Sequence, residues 1–223
     1  MAVSAEIEVY MMDNTEKTSF RQQTIDAFLE ELGSGEPTPG GGAAAGLLGG
    51  QACALAEMSC RLTISNADYE AIHEKAKVWL SIFQDGRSIM LDLMDEDAAN
   101  FGAFMKLLHQ PKPKDPEDRS REEALQAALE KCTEAPMQIG QTLSDMMNVF
   151  TTVLQEGNKN LVTDSIIAIQ CAIAAIRASI LNVRINLKYI KNEFFVREAE
   201  DTIRKWEDAV SAADAVLTYQ VTL

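Results

Sequence analysis

Positive charge is scarce in this sequence relative to its opposite. Twenty lysines and arginines stand against 34 aspartates and glutamates, a formal net charge of −14. So acidic a surface repels a phosphate backbone, which excludes nucleic acid as a partner. Histidine is scarcer still: His73 and His109 are the only two. Neither has metal-ligand spacing or stands beside a plausible nucleophile, so no metal and no Ser–His or Cys–His couple is expected. The four cysteines, Cys53, Cys60, Cys132 and Cys171, form no CxxC pair, and each sits in an apolar helical pattern. Buried free thiols in a reducing, cytoplasmic compartment are expected. No P-loop, dinucleotide fingerprint or zinc signature occurs. Leucine- and isoleucine-rich runs of spanning length are not read either. The run at residues 41–56 is built from Gly and Ala and is short for a span, so neither a signal peptide nor a membrane partner is expected.

What the chain does have is helix-forming residues and a sizeable apolar fraction, 47% of 223 residues. That is enough for one folded domain with a real core. Residues 1–18 mix charges without a clear period and read as a loose arm, leaving 19–223 as a single helical domain. Ile25, Phe28, Leu29 and Leu32 mark a short amphipathic helix ended by Gly33-Ser34-Gly35. A second helix is predicted over about 41–63, where Gly42, Gly46, Gly49 and Cys53 recur at helical spacing and permit close approach of a partner helix. A long helix spans about 68–108, its stripe running through Trp79, Phe83, Met90, Leu93, Phe101 and Phe104. Pro111, Pro113 and Pro116 make 109–117 a loop. Helical pattern resumes over 119–134, Pro136 breaks or restarts it, and it continues to 156. Two more helices are predicted over 163–190 and 195–219. With no convincing strand and no repeat, the fold class is an all-α bundle of long, mostly antiparallel helices.

Pro37-Thr38-Pro39-Gly40-Gly41-Gly42 stands just before the second helix. The first N–H groups of a helix carry partial positive charge, and glycine lets a ligand approach the backbone, so this stretch is either a tight turn or an oxygen-binding site. Asp97 continues the apolar stripe, four residues after Leu93 and four before Phe101, which puts a carboxylate on the buried face; it is paired to another helix or used. Asp95 and Glu96 point elsewhere. Asn182 and Asn186 share one helix face and either line a polar pocket or fix helix register. Asp164, on nearly the same line but 18 residues earlier, is ~27 Å from Asn182 and cannot meet the same small ligand within one protomer. Thr163 or Asp164 is expected to cap that helix. Arg177, Arg184, Lys188 and Lys191 form a basic stripe that suits an anionic ligand or an acidic neighbouring helix.

Together these segments resemble the cyclodeaminase/cyclohydrolase family of folate enzymes. The resemblance rests on Phe28–Leu32 with Pro37–Gly42, on Asp95-Glu96-Asp97-Ala98 with Phe101, on Pro111-Lys112, on Arg121–Ala124 followed by Ala135-Pro136, on Asp164, and on Asn182-Val183-Arg184-Ile185-Asn186-Leu187. It covers nearly the whole chain from about residue 22. The chain departs from the family at Ala43, where serine is common, and at Ile166 and Ile167, where small residues follow the aspartate. The resemblance implies a helical homodimer or larger assembly that takes a tetrahydrofolate derivative as substrate, with no further cofactor. It implies either hydrolysis of 5,10-methenyltetrahydrofolate or cyclising deamination of 5-formimidoyltetrahydrofolate. It further implies catalytic roles for Asp97, Asp95, Asn182 and Asn186, and substrate contacts from Pro39, Gly40, Gly41, Gly42, Asp164, Arg184 and Lys188. No formiminotransferase segment accompanies the motifs, so channelling between domains is not expected. A helical binding or assembly protein that keeps the fold without the chemistry is the alternative, favoured by Ala43, Ile166 and Ile167.

Overall fold

The computed structural model describes residues 19–111, 113–115 and 117–221; the arm expected over 1–18 lies outside the described residues. Six α-helices follow one another: α1 (Ile25–Leu32), α2 (Gly41–Ile64), α3 (His73–His109), α4 (Ser120–Glu156), α5 (Val162–Leu187) and α6 (Glu193–Val221). No strand occurs among the described residues. Short 3₁₀ turns at Phe20–Gln22, Ala67–Ile72 and Lys159–Leu161 set the entries to the helices that follow. The Ala67–Ile72 turn replaces the first residues of the expected long helix; Asn66 starts it by accepting from the Asp68 N–H at 3.0 Å. Local hydrogen bonding by asparagine competes with helix there.

α2 to α5 form an up-down-up-down square. α2 runs antiparallel to α3, since Gly42 lies against Asp97 at one end and Cys53 beside Gly86 lower down. It is also antiparallel to α5: Gly41 meets Asn182, and Ser59 Oγ meets Ser165 Oγ at 3.4 Å. α4 closes the square against α3 and α5, with Lys75–Glu156 at one end and Cys132–Asn186 at the other. The expected close approach along the glycine stripe is realised. A Cβ at Gly46 would stand 2.7 Å from Met94 Cγ and 2.9 Å from the Met90 carbonyl, so α3 backbone fills the space a side chain would take. The core holds Phe83 and Phe150 with ring centroids 4.7 Å apart, together with Met90, Ile139, Leu143 and Ile176. Each such fully buried side chain contributes about 1.5–3 kcal/mol. α6 packs outside, where Trp206 is wholly buried over Gly140 and its Nε1 donates to Gln141 Oε1 at 3.2 Å.

Three expectations are corrected. Pro136 neither breaks nor restarts the helix, which runs through it from Ser120 to Glu156. Packing on both neighbours outweighs the one backbone hydrogen bond that a proline removes. The start of α5 carries no side-chain cap, so neither Thr163 nor Asp164 plays that part; Asn158 caps the preceding turn instead. Finally, the segment Lys159–Leu187 is long and apolar enough to cross a membrane by length and composition, and 50% of its most apolar window is buried inside the bundle. Its outer face exposes Ile167, Leu181 and Ile185 beside the polar Gln170 and Arg177.

Candidate active site

One end of the square gathers the motifs. Gly40 is the N-cap of α2, with φ −134° and ψ −153°, and provides no side-chain cap. The N–H groups of the first turn are therefore open to an outside acceptor. Asp97 from α3 stands at this turn, where the Ala43 N–H favours its charged form. Gly42 is what permits it: a Cβ there would overlap the Asp97 carboxylate. Neither Gly41 nor Gly42 uses a left-handed backbone, since the one positive-φ glycine among the described residues is Gly35. The glycines serve proximity rather than turning, and the Thr38–Pro39 peptide that precedes them is cis.

Two effects oppose each other at Asp97. Burial disfavours the carboxylate and dominates; the Ala43 N–H favours it and is the smaller effect. The outcome is a carboxyl group pushed up from 3.8 to about 6. At neutral pH it is mostly ionised yet only about one unit from taking a proton, the range suited to general acid–base work.

Around Asp97 lies a cleft of about 170 Å³. α2 supplies Gly41 and Gly42, α3 adds Phe101, α4 adds Cys132 and Pro136, and α5 adds Asn182, Ile185 and Asn186, with Pro37, Thr38 and Gly40 at the rim. Asn182 Nδ2 donates to the Ala178 carbonyl one turn back at 3.1 Å, and its Oδ1 lies toward Gly41. Asn186 Nδ2 donates across to the Cys132 carbonyl of α4 at 3.2 Å. Burial, and secondarily the nearby Asp97, push the Cys132 thiol up to about 11, so it is neutral and not a nucleophile at physiological pH. Among the described residues no group of three His, Cys, Asp or Glu side chains is arranged to hold a metal ion.

The sequence model of the formiminotransferase-cyclodeaminase family matches residues 24–205. The chain belongs to that family. A methenyltetrahydrofolate cyclohydrolase from Methylorubrum extorquens is 31% identical over 194 residues, spanning 87% of this chain and 92% of that protein. The formimidoyltransferase-cyclodeaminase of Rattus norvegicus is 26% identical over 88% of this chain, which spans only 36% of that longer protein. A crystal structure of formiminotetrahydrofolate cyclodeaminase from Thermotoga maritima superposes with a TM-score of 0.80 at 26% identity, covering 89% of this chain and 96% of that one.

Within this cyclodeaminase-family fold, the expected residues divide. Asp97, Asn182, Asn186, Gly40, Gly41 and Gly42 come together in the cleft. Pro39 is buried and does not line it, whereas Pro37 and Thr38 do. Asp95 is turned away, accepting from the Phe20 N–H at 2.9 Å and from the Ser19 hydroxyl, and so anchors the first 3₁₀ turn. Asp164 sits in the first turn of α5, at the far end of the helix from the asparagines. Arg184 faces α6, with Glu207 at 2.9 Å and Glu200 at 3.4 Å. Arg177 pairs with Asp214 of the same helix at 2.7 Å. The two arginines of the basic stripe thus meet an acidic neighbouring helix, one of its two expected readings, while Lys191 pairs with Glu122 of α4. Lys188 is exposed at the C-cap of α5. Pro37, Thr38, Phe101, Ile185, Cys132 and Pro136 also line the cleft, with no individual site role expected of them from the sequence; Cys132 and Pro136 are four apart on one face of α4, a spacing hidden where the proline reads as a break.

Ala43 also finds its place. Its side chain is fully buried against Phe20, Phe28 and Met94, away from the cleft. Only its N–H serves Asp97, and any residue but proline supplies that.

Proposed function

We propose that this protein is a folate one-carbon enzyme that hydrolyses 5,10-methenyltetrahydrofolate to 10-formyltetrahydrofolate, with Asp97 as its acid–base group. The observation that carries the reading is a carboxyl group raised to about 6 at the open first turn of α2, inside a cleft. Its likeness over nearly the full length of a methenyltetrahydrofolate cyclohydrolase supports the choice of reaction. The substrate carries a cationic carbon between two nitrogens. Asp97 accepts a proton as water attacks that carbon and a C–O bond forms. The same proton then passes to the departing ring nitrogen as its C–N bond breaks, the hydroxyl oxygen forms the formyl C=O, and the hydroxyl proton goes to solvent. The Asp97 carboxylate and the amide oxygens of Asn182 and Asn186 offer acceptors to the positive charge. The cleft is smaller than the roughly 300–1,000 Å³ of a site that engulfs a whole ligand. It takes the reacting end of the folate and leaves the glutamate tail outside.

A second reading, cyclising deamination of 5-formimidoyltetrahydrofolate, is favoured by the likeness to the Thermotoga maritima cyclodeaminase. There the folate nitrogen attacks the carbon of the protonated formimidoyl group and forms a C–N bond, Asp97 takes the proton of that nitrogen and passes it to the amino group, and the amino group leaves as ammonia as its own C–N bond breaks. Absorbance in the methenyl-folate band separates the two: its decay above the uncatalysed rate marks the hydrolase, and its appearance from formimidoyl-folate marks the deaminase. Folate binding with no change in the band would contradict both and favour a non-catalytic binding protein.

We further propose a homodimer joined through the outer face of α5 and the adjoining α2. Leu181 is 71% exposed, and Ile185, Leu62 and Ile167 are also exposed. These exposed apolar side chains, set around the polar Gln170 and Arg177 of the same face, are what an interface between copies would cover. Ile185 belongs both to that face and to the cleft, so a partner docked there would wall the cleft's mouth. An antiparallel second α5 would also bring the partner's N-terminal turn, with its Asp164, toward the asparagine end. The four free cysteines fit a soluble enzyme of a reducing cytoplasm.

A further inference from the structure

We infer that Pro136 is a positioning residue, present in the middle of α4 to free one backbone carbonyl that then orients Asn186. In an unbroken helix the carbonyl of residue 132 accepts the N–H of residue 136. Proline has no N–H, so the Cys132 carbonyl loses its helical partner. Cys132 and Pro136 are both buried in the cleft wall, where an unpaired carbonyl is costly. The partner comes from another helix: Asn186 Nδ2 of α5 donates to that carbonyl at 3.2 Å.

The bond does more than satisfy the carbonyl. An asparagine amide presents two donors on one side and an acceptor on the other. Holding Nδ2 against α4 leaves Oδ1 as the face offered to the cleft. Asn182 is fixed in the same sense by the Ala178 carbonyl. With the Asp97 carboxylate, the cleft then presents three oxygen acceptors and suits a cationic, amidinium-like group. An N–H at residue 136 would compete for the Cys132 carbonyl, and Asn186 would be free to turn donors toward that charge. The kinetic part of this inference rests on the proposed reaction; the hydrogen-bond part does not.

The test compares wild type, Pro136→Ala, Asn186→Ala and the double variant. Pro136→Ala returns an N–H to the helix, so circular dichroism is expected to be unchanged and Tm equal or higher. kcat in the methenyl-folate assay is expected to fall roughly tenfold through misorientation, with KM nearly constant. The double variant is expected to match Asn186→Ala alone, because Pro136 acts only through Asn186. In ¹⁵N spectra the Asn186 side-chain NH₂ is expected to exchange slowly in wild type and faster in Pro136→Ala. A double variant whose loss equals the product of the single losses overturns the inference, and so does wild-type-like turnover in Pro136→Ala. Fast exchange of that NH₂ in wild type overturns it even if every variant misfolds. If wild type turns over neither folate, the proposed reaction fails while the exchange data still decide the role of Pro136.

Discussion

Asp97 is held between two demands. Its carboxylate stands at the first turn of α2, whose Ala43 N–H favours the charge, yet burial keeps it expensive to ionise, with a folded value of about 6 against an ordinary 3.8. A carboxyl raised on folding weakens the native state once it ionises, so this cost is absent below about 4 and complete above about 6. Asp97→Asn keeps an oxygen for the Ala43 N–H and removes the charge. The variant is expected to be more stable than wild type by about 1–2 kcal/mol at pH 7. The advantage should shrink to nothing as pH falls from about 6 to 4, which paired urea titrations across that range would measure. Gly42→Ala tests the neighbouring contact. The added methyl must displace the carboxylate, the flexible end of a side chain, so the bundle should still fold. A displacement of about 1 Å costs on the order of 100-fold in kcat. Retained turnover in Gly42→Ala would show that the glycine is not there for Asp97.

At the level of helices, Arg184 separates two roles that its sequence position leaves open. Its guanidinium pairs with Glu200 and Glu207 of α6 and has no part in the cleft. Arg184→Ala is therefore expected to cost under about 1 kcal/mol, as for other exposed pairs. It should leave KM for folate within about threefold, and a large rise in KM would put Arg184 back at the substrate. This helix pair also marks where sequence reasoning stops. The periods of α2 to α6 were legible because apolar residues recur along buried faces. Asp97 was legible as a carboxylate interrupting such a face, and Asn182 with Asn186 as two amides on one. Pro136 was not, because its effect depends on neighbours that only tertiary packing brings. Helical spacing already turned Asp95 away from Asp97, and it is the catalytic role implied by the resemblance that fails, since Asp95 binds Ser19 and Phe20. Cys132 gave no signal of its own, since a buried thiol on an apolar face reads as core.

For the molecule as a whole, the site exists because four helix segments end up level at one end of the square. No local pattern encodes that register; it follows from the helix lengths and the close α2–α3 contact at Gly46 and Gly49. The same architecture leaves apolar side chains exposed on the outer face of α5, with Leu181 most exposed. Leu181→Glu is expected to convert a dimer to a folded monomer in sedimentation, with weakened turnover if the partner walls the cleft. A wild-type protein that sediments as a monomer at micromolar concentration would contradict the dimer. The acid limb of kcat/KM belongs at this scale too, because it reports the free protein. It is expected to rise with pH through about 6 and then level, as Asp97 loses its proton and becomes able to accept one.

The most direct measurement is the initial rate at which the methenyl-folate band decays with wild type and with Asp97→Asn, at pH 7 and equal protein concentration. The account predicts decay well above the uncatalysed rate for wild type, and for the folded variant a loss of about 100-fold or more. Wild-type rates in a folded Asp97→Asn protein would contradict it.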